Sequence, residues 1–180
     1  MGLTIHYSWQ LAASRAEEIP ALLDKISTAA KQLGFVEVLP SRHLHGAECD
    51  PDRADSERTR ETLLLNGAGA SELFVVETLP GHGCEAANFG FKREPEGRWI
   101  WRSFCKTQFA ARQEHGGQIN FLRSHTRLCK MLDAIRELGI DVEVHDDTDY
   151  FATRNNAALR EAIDAALLVQ GLGLQQVITV

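Results

Sequence analysis

The sequence predicts a single α+β domain over residues 1–180, folded as a ferredoxin-like two-layer sandwich with helices on one face of a mixed or antiparallel sheet. Two observations lead to this prediction. The order of the predicted elements is β-α-β, an insertion, two or three strands that include a hairpin, and then α-β-α. The chain of 180 residues is also long enough to enclose a hydrophobic core without disulfides or metals.

The first β-α-β unit is predicted from residue periodicity. Residues 3–9 alternate apolar and polar side chains, which is typical of a half-buried strand. An apolar stripe then indicates a helix that ends at Gly34, with its regular part starting near Pro20 because a proline is tolerated in the first turn. Residues 35–39 read as a second strand, stopped by Pro40.

The stretch from residue 41 to 70 looks like an insertion into this pattern. We expect a short helix in it, capped by Asp50 and with Pro51 at its first position. Leu73 to Thr78 then reads as a strand.

A hairpin and a second helical region follow. Alternating apolar residues over 87–91, the turn-forming residues 94–97 and the returning run 99–105 predict the hairpin. Apolar periodicity then predicts a long helix over 119–138, a strand over 140–144 and a last helix over 155–168.

The chain shows no sign of export or membrane insertion. No apolar run approaches the length that spans a bilayer, and the first residues lack the pattern of a secretory signal. The prediction is therefore a cytoplasmic protein without membrane association, whose thiols are reduced. Those thiols are Cys49, Cys84, Cys105 and Cys129.

Charge is distributed unevenly along the chain. The net charge of −6 argues against a general nucleic-acid binder. Between Arg98 and Lys130, however, the only acidic residue is Glu114, whereas Arg136 is the only basic residue between Asp133 and Asp149. Either these neighbouring segments pack together and their charges pair, or the basic segment forms a positive face for an anionic ligand.

Two residues are candidates for catalysis. Cys105 precedes Lys106, and a nearby ammonium can lower a thiol pKa, but a small buried cysteine among aromatic residues is the simpler interpretation. His125 lies in the apolar stripe of the long helix, either as a core residue or as a general base assisted by Asp146 or Asp147. The two aspartates could equally be solvated or cap the next helix. No phosphate-loop or nucleophile-elbow motif occurs.

Histidines and cysteines in two loop-like segments could bind a metal if the loops meet. Their spacing matches no standard zinc template, so the metal, like any cofactor, is left unknown. The residues are His43, His45, Cys49, His82 and Cys84.

The second half of the chain carries a series of short runs: Phe104-Cys105-Lys106-Thr107-Gln108, Gly116-Gly117, Asn120-Phe121-Leu122-Arg123, His125, Leu138-Gly139-Ile140 and Val142-Glu143-Val144. With these residues it resembles a group of uncharacterised bacterial proteins of unknown function. The resemblance implies a bacterial origin and carries no activity.

Three functions remain open. The first is a binding module for an anionic small molecule or an acidic partner, the second an enzyme that uses Cys105 or His125, and the third a self-associating structural subunit, since such folds usually leave strand edges exposed and could form homo-oligomers. The ligand-binding residues of the first are Arg102, Lys106, Gln108, Arg123 and Arg127.

Overall fold

A computed structural model describes residues 3–67 and 69–169. The strands of this part are β1 (Thr4–Leu11), β2 (Glu37–Val38), β3 (Arg42–His45), β4 (Glu72–Val76), β5 (Thr78–Leu79), β6 (Phe89–Arg93), β7 (Trp99–Lys106) and β8 (Val142–Asp146). Its α-helices are α1 (Ile19–Gln32), α2 (Glu57–Asn66), α3 (Gly117–Glu137), α4 (Tyr150–Thr153) and α5 (Asn156–Val169). Within these ranges no helix is long and apolar enough to cross a membrane.

Six strands form one antiparallel sheet in the order β3-β4-β6-β7-β1-β8, and β2 pairs with β5 beside it. The predicted α+β class is therefore confirmed, and of the two predicted kinds of sheet, mixed or antiparallel, the antiparallel one is found. Strand β1 pairs with β7 along its whole length, from Thr4 opposite Lys106 to Leu11 opposite Trp99, and with β8 on its other side.

The main core lies on the sheet face that carries the aromatic residues. Trp9 stacks on Phe89 and Trp101 at ring-centroid distances of 6.5 and 6.4 Å, and its indole N–H donates to the carbonyl of Gly90. Phe35, just after α1, packs against Phe89 at 6.4 Å, and α1 packs against α3. Helices α1 and α3 therefore cover this aromatic face.

Helix α2 packs on the opposite face, so the expectation that all helices lie on one face is wrong. Arg42 of β3 donates to the Thr59 hydroxyl of α2 at 3.0 Å, and Leu44 lines a hollow together with Leu63. Leu44 lies opposite Leu73 in the ladder and both are buried. Within the inserted segment 41–70, β3 therefore adds an edge strand to the sheet, and α2 folds back over this second face because apolar residues there also need cover.

Several local predictions are confirmed. Strand β1, the hairpin of β6 and β7, and an α1 that carries Pro20 in its first turn match the sequence patterns. Gly97 closes the hairpin with φ 82°, a conformation that favours glycine. Asp50 caps the turn that starts at Pro51 by accepting the Asp52 N–H at 3.0 Å.

The predicted strand over residues 35–39 is shorter than expected. Only Glu37–Val38 is a strand, and it pairs with β5 outside the main sheet. Phe35, at the start of the predicted strand, is instead buried in the core against Phe89.

Strands β6 and β7 separate after two residue pairs, and α2 occupies the gap. Pairing stops at Lys92 opposite Ile100. Beyond it the side chain of Asn66 donates to the carbonyl of Arg102 at 2.8 Å and accepts the Arg102 N–H at 3.2 Å. The Asn66 amide thus takes the place of a neighbouring strand at this point.

Candidate functional site

A groove of about 570 Å³ lies where the end of α1, the first half of α3 and the start of α5 meet. Four cationic side chains line it, and no carboxylate is among its lining residues within the described ranges. The cations are Arg123, Arg127, Lys130 and Arg160. Leu33 and Leu122 add apolar surface, and Thr126 and Asn156 add polar groups.

The helical period places three of these cations on one stripe of α3. Arg123, Arg127 and Lys130 are four and three residues apart, the spacing of side chains that share a helix face. The buried face of α3 carries Phe121 and Leu128, so the cationic stripe is turned away from the core. Arg160 comes from α5 across the groove.

The cations of the groove form no ion pair with any carboxylate in the described residues. Among the described residues, Arg127 donates a hydrogen bond only to the carbonyl of Pro80, at 3.3 Å. The pKa of Arg127 is lowered from its ordinary value because burial disfavours its charge and because Arg123 lies nearby. A bound anion would counteract both effects.

Other cations of the basic segment form ion pairs with carboxylates outside the acidic segment 133–149. Arg98 pairs with Glu94 at 3.0 Å, and Lys106 with Glu85 at 3.1 Å. No lysine or arginine of residues 98–130 pairs with a carboxylate of residues 133–149 in the described structure, so the expected neutralisation between these two segments is not found.

The five predicted ligand-binding residues do not form one surface. Arg123 and Arg127 meet in the groove, but Arg102 lines a separate hollow on the sheet beside Asp141 and Glu143. Lys106 lines a third hollow with its partner Glu85. Gln108 is buried and accepts the backbone N–H of Leu3, so it ties the chain start to the end of β7.

Cys105 lies in the core. Its side chain is fully buried in β7 and donates to the carbonyl of Glu85 at 3.2 Å. Burial, and then the neighbouring Cys84 thiol, raise the pKa of Cys105 well above its ordinary value. Because the thiolate is the nucleophile, this environment opposes nucleophilic chemistry.

His125 is the centre of a buried polar network. Its Nδ1 lies 2.9 Å from the Thr107 hydroxyl, and its Nε2 lies 3.2 Å both from Asp146 Oδ2 and from the Thr148 hydroxyl. A carboxylate can only accept, so Nε2 carries the proton that His125 donates to Asp146. His125 is fully buried.

Asp146 fixes the end of β8 and the start of α4. Its oxygens accept the N–H of Thr148 at 2.9 Å and the N–H of Phe151 at 2.8 Å. Burial alone would raise the pKa of Asp146, but the hydrogen bond and charge interaction with His125 and these two N–H groups lower it to about 2. The order hydroxyl, imidazole, carboxylate resembles a hydrolase triad, but Thr107 and His125 are fully buried and Asp146 is nearly so, which keeps a substrate away from them. The arrangement therefore joins β7, α3, β8 and α4 structurally.

Asp147 and Asp149 have structural roles at the same turn. Asp147 accepts the N–H of Thr4 at 3.0 Å. Asp149 has a positive φ of 55° immediately before α4. Neither Asp147 nor Asp149 belongs to a group of three metal-ligand atoms that lie close together in the described residues.

The proposed histidine and cysteine loops do not meet. His43 and His45 cluster with Glu72 on β3 and β4, whereas Cys84 lies beside Cys105 and the carbonyl of His82 accepts from Asn120 at 2.9 Å. Cys49 is buried and is not one of the ligand atoms of that cluster, although the charge of Glu72 adds to burial and to Glu48 in raising its thiol pKa. Of the described residues, His125, Cys129 and Asp146 form a second group with ligand-type atoms close together, fully inside the core.

Two residues of these sites were not predicted from the sequence. Arg160 stands alone in a helix of ordinary composition, and Glu72 lies in a strand 27 residues beyond His45. Only tertiary contacts bring Arg160 to α3 and Glu72 to His43.

Comparisons with known proteins give no further guide to identity. No protein-family model matches the chain, and no curated protein or solved structure matches it. The fold and the groove therefore define it only as an α+β protein with a cationic groove between helices.

Proposed function

We propose that this chain is a binding module for an anionic small molecule, which it holds in the groove between α1, α3 and α5. One observation carries the proposal: the groove gathers four cations that have no carboxylate partner in the described structure. Cations held together in this way repel each other, and an anion between them removes that cost.

The groove also suggests the class of ligand. A volume of about 570 Å³ lies in the range of small-molecule sites. Guanidinium groups bind phosphate and carboxylate through paired N–H donors, and three of the four cations are arginines. Leu33 and Leu122 offer contact to an apolar part of the ligand. We therefore expect a phosphorylated or polycarboxylate metabolite.

Isothermal titration with pyrophosphate and with citrate tests the proposal. The variant Arg123→Gln/Arg127→Gln should bind the preferred anion about a hundredfold more weakly, since a hydrogen bond to a charged group contributes about 1.5–3 kcal/mol and each 1.4 kcal/mol is tenfold. Raising the salt concentration should weaken binding further, because added ions screen exposed charges.

Two further variants separate a specific site from general charge. Arg53→Gln/Arg60→Gln removes the same net charge from exposed arginines outside the groove and should leave affinity unchanged. Arg102→Gln/Lys106→Gln tests the other half of the sequence-derived surface. If Arg102→Gln/Lys106→Gln loses binding while Arg123→Gln/Arg127→Gln keeps it, the anion binds on the sheet and not in the groove. Equal weakening in all variants would mean only nonspecific attraction.

We also propose a ferredoxin-like core for this domain, a cytoplasmic location and a bacterial origin. Support for the core comes from the adjacent strands β8-β1-β7-β6, with α1 between β1 and β6 in the chain and α3 between β7 and β8. Such an order is the one expected when two β-α-β units interleave antiparallel strands.

A further inference from the structure

We propose that His43, His45 and Glu72 form a binding site for a divalent transition metal, with Zn²⁺ as the reference ion. This site is separate from the anion groove and does not depend on it. It lies at the β3 edge of the sheet, whereas the groove lies between helices.

The strand geometry brings the three side chains to one face. His43 and His45 are two residues apart on β3, so they point to the same side of the sheet. Glu72 lies directly opposite His45 on β4, and His43 lies opposite Phe74. All three ligand atoms lie within 4.8 Å of one another.

The distances suit a metal after a small adjustment. His43 Nε2 lies 2.8 Å from Glu72 Oε1. Zinc bonds of about 2.0–2.1 Å to nitrogen and 2.0–2.2 Å to oxygen at a tetrahedral angle place these atoms about 3.4 Å apart. The pair would therefore open by about 0.6 Å, which a small rotation of the exposed His43 side chain can accommodate.

Neighbouring groups hold the ligands in place. The His43 ring stacks on Phe74 at a centroid distance of 3.7 Å and an angle of 17°. Arg93 donates to Oε2 of Glu72 at 3.2 Å, which leaves Oε1 facing His43. Contacts of this kind orient metal ligands, although the charge of Arg93 also limits the affinity.

The donor set selects the class of metal. Two imidazoles and a carboxylate suit zinc, nickel and copper and disfavour magnesium and calcium, which prefer oxygen ligands. Three protein ligands leave a fourth tetrahedral position to water or to a group of a partner molecule, and both histidines are exposed enough to admit either.

Calorimetric titration of the full chain with Zn²⁺ measures the affinity. We expect one equivalent to bind, and His45→Ala and Glu72→Gln each to weaken it at least tenfold. The matched control is His145→Ala, which removes another exposed histidine that lies near Asp147 and outside the cluster. His145→Ala should leave the zinc affinity unchanged. His45→Ala should leave the affinity for pyrophosphate unchanged, because the metal site is separate from the groove.

Paramagnetic Ni²⁺ locates the ion. The backbone amide signals of residues 42–46 and 71–75 should broaden first in the wild-type chain and stay sharp in His45→Ala, whose dispersed spectrum also reports that it is folded. Equal zinc affinity in the wild type and His45→Ala, or broadening centred on Cys84 or His145, would overturn the proposal.

Discussion

Replacing Asp146 with asparagine should remove a defined part of the acid sensitivity of folding. Asp146 has a pKa of about 2 in the folded chain against an ordinary value of 3.8. One pKa unit corresponds to about 1.4 kcal/mol, so this depression contributes about 2 kcal/mol of stability at neutral pH. Because the folded pKa is the lower one, the contribution is complete above pH 4 to 5 and declines as the pH falls toward 2.

Urea unfolding of the wild type and Asp146→Asn at pH 7, 5, 4 and 3 measures this effect. At pH 7 the variant should be less stable by about 2–4 kcal/mol, since it also leaves the buried donor of His125 without a charged acceptor. The gap between the two proteins should shrink by about 1 kcal/mol at pH 3. A gap that stays constant with pH would refute the proposed role of the carboxylate charge, and no gap at pH 7 would refute the network as a whole.

Two further predictions concern the core and the α2 contact. The thiols of Cys105 and Cys129 should resist a disulfide reagent in the native protein and react after unfolding, because burial raises the pKa of both. Peptide mass spectrometry locates the labelled residues. Rapid labelling of Cys105 in the native protein would support the enzyme hypothesis again. Asn66→Ala should destabilise the chain by about 1–3 kcal/mol in urea unfolding, because it leaves the backbone of Arg102 unpaired. The control Leu65→Ala, at a largely exposed neighbour, should change stability by less than about 0.5 kcal/mol, and a similar change in both variants would contradict the role given to Asn66.

Elements with a complete local signal were predictable from the sequence. Strand β1 alternates apolar and polar residues along its length, and residues 94–97 carry the turn chemistry that fixes the hairpin. The ladder of β2 and β5 was not predictable, because each strand has two residues and its partner is far along the chain. The position of α2 was not predictable from the sequence either, because it depends on which face of the sheet the inserted segment packs against.

The candidate sites divide in the same way. The stripe of Arg123, Arg127 and Lys130 follows from helical spacing, which a sequence displays directly. Arg160 joins it only through the packing of α5 against α3. Likewise, the hydrogen bond between His125 and Asp146 requires β8 to lie beside β1, a tertiary contact that no local sequence pattern predicts.

The proposed groove is tested most directly by a nuclear magnetic resonance titration of the isotope-labelled chain with pyrophosphate or citrate. We expect saturable shifts of the side-chain N–H signals of Arg123, Arg127 and Arg160, with the signal of Arg102 unmoved. Shifts at Arg102 and around Lys106 that leave the groove signals in place would contradict it, as would a spectrum that responds to neither anion.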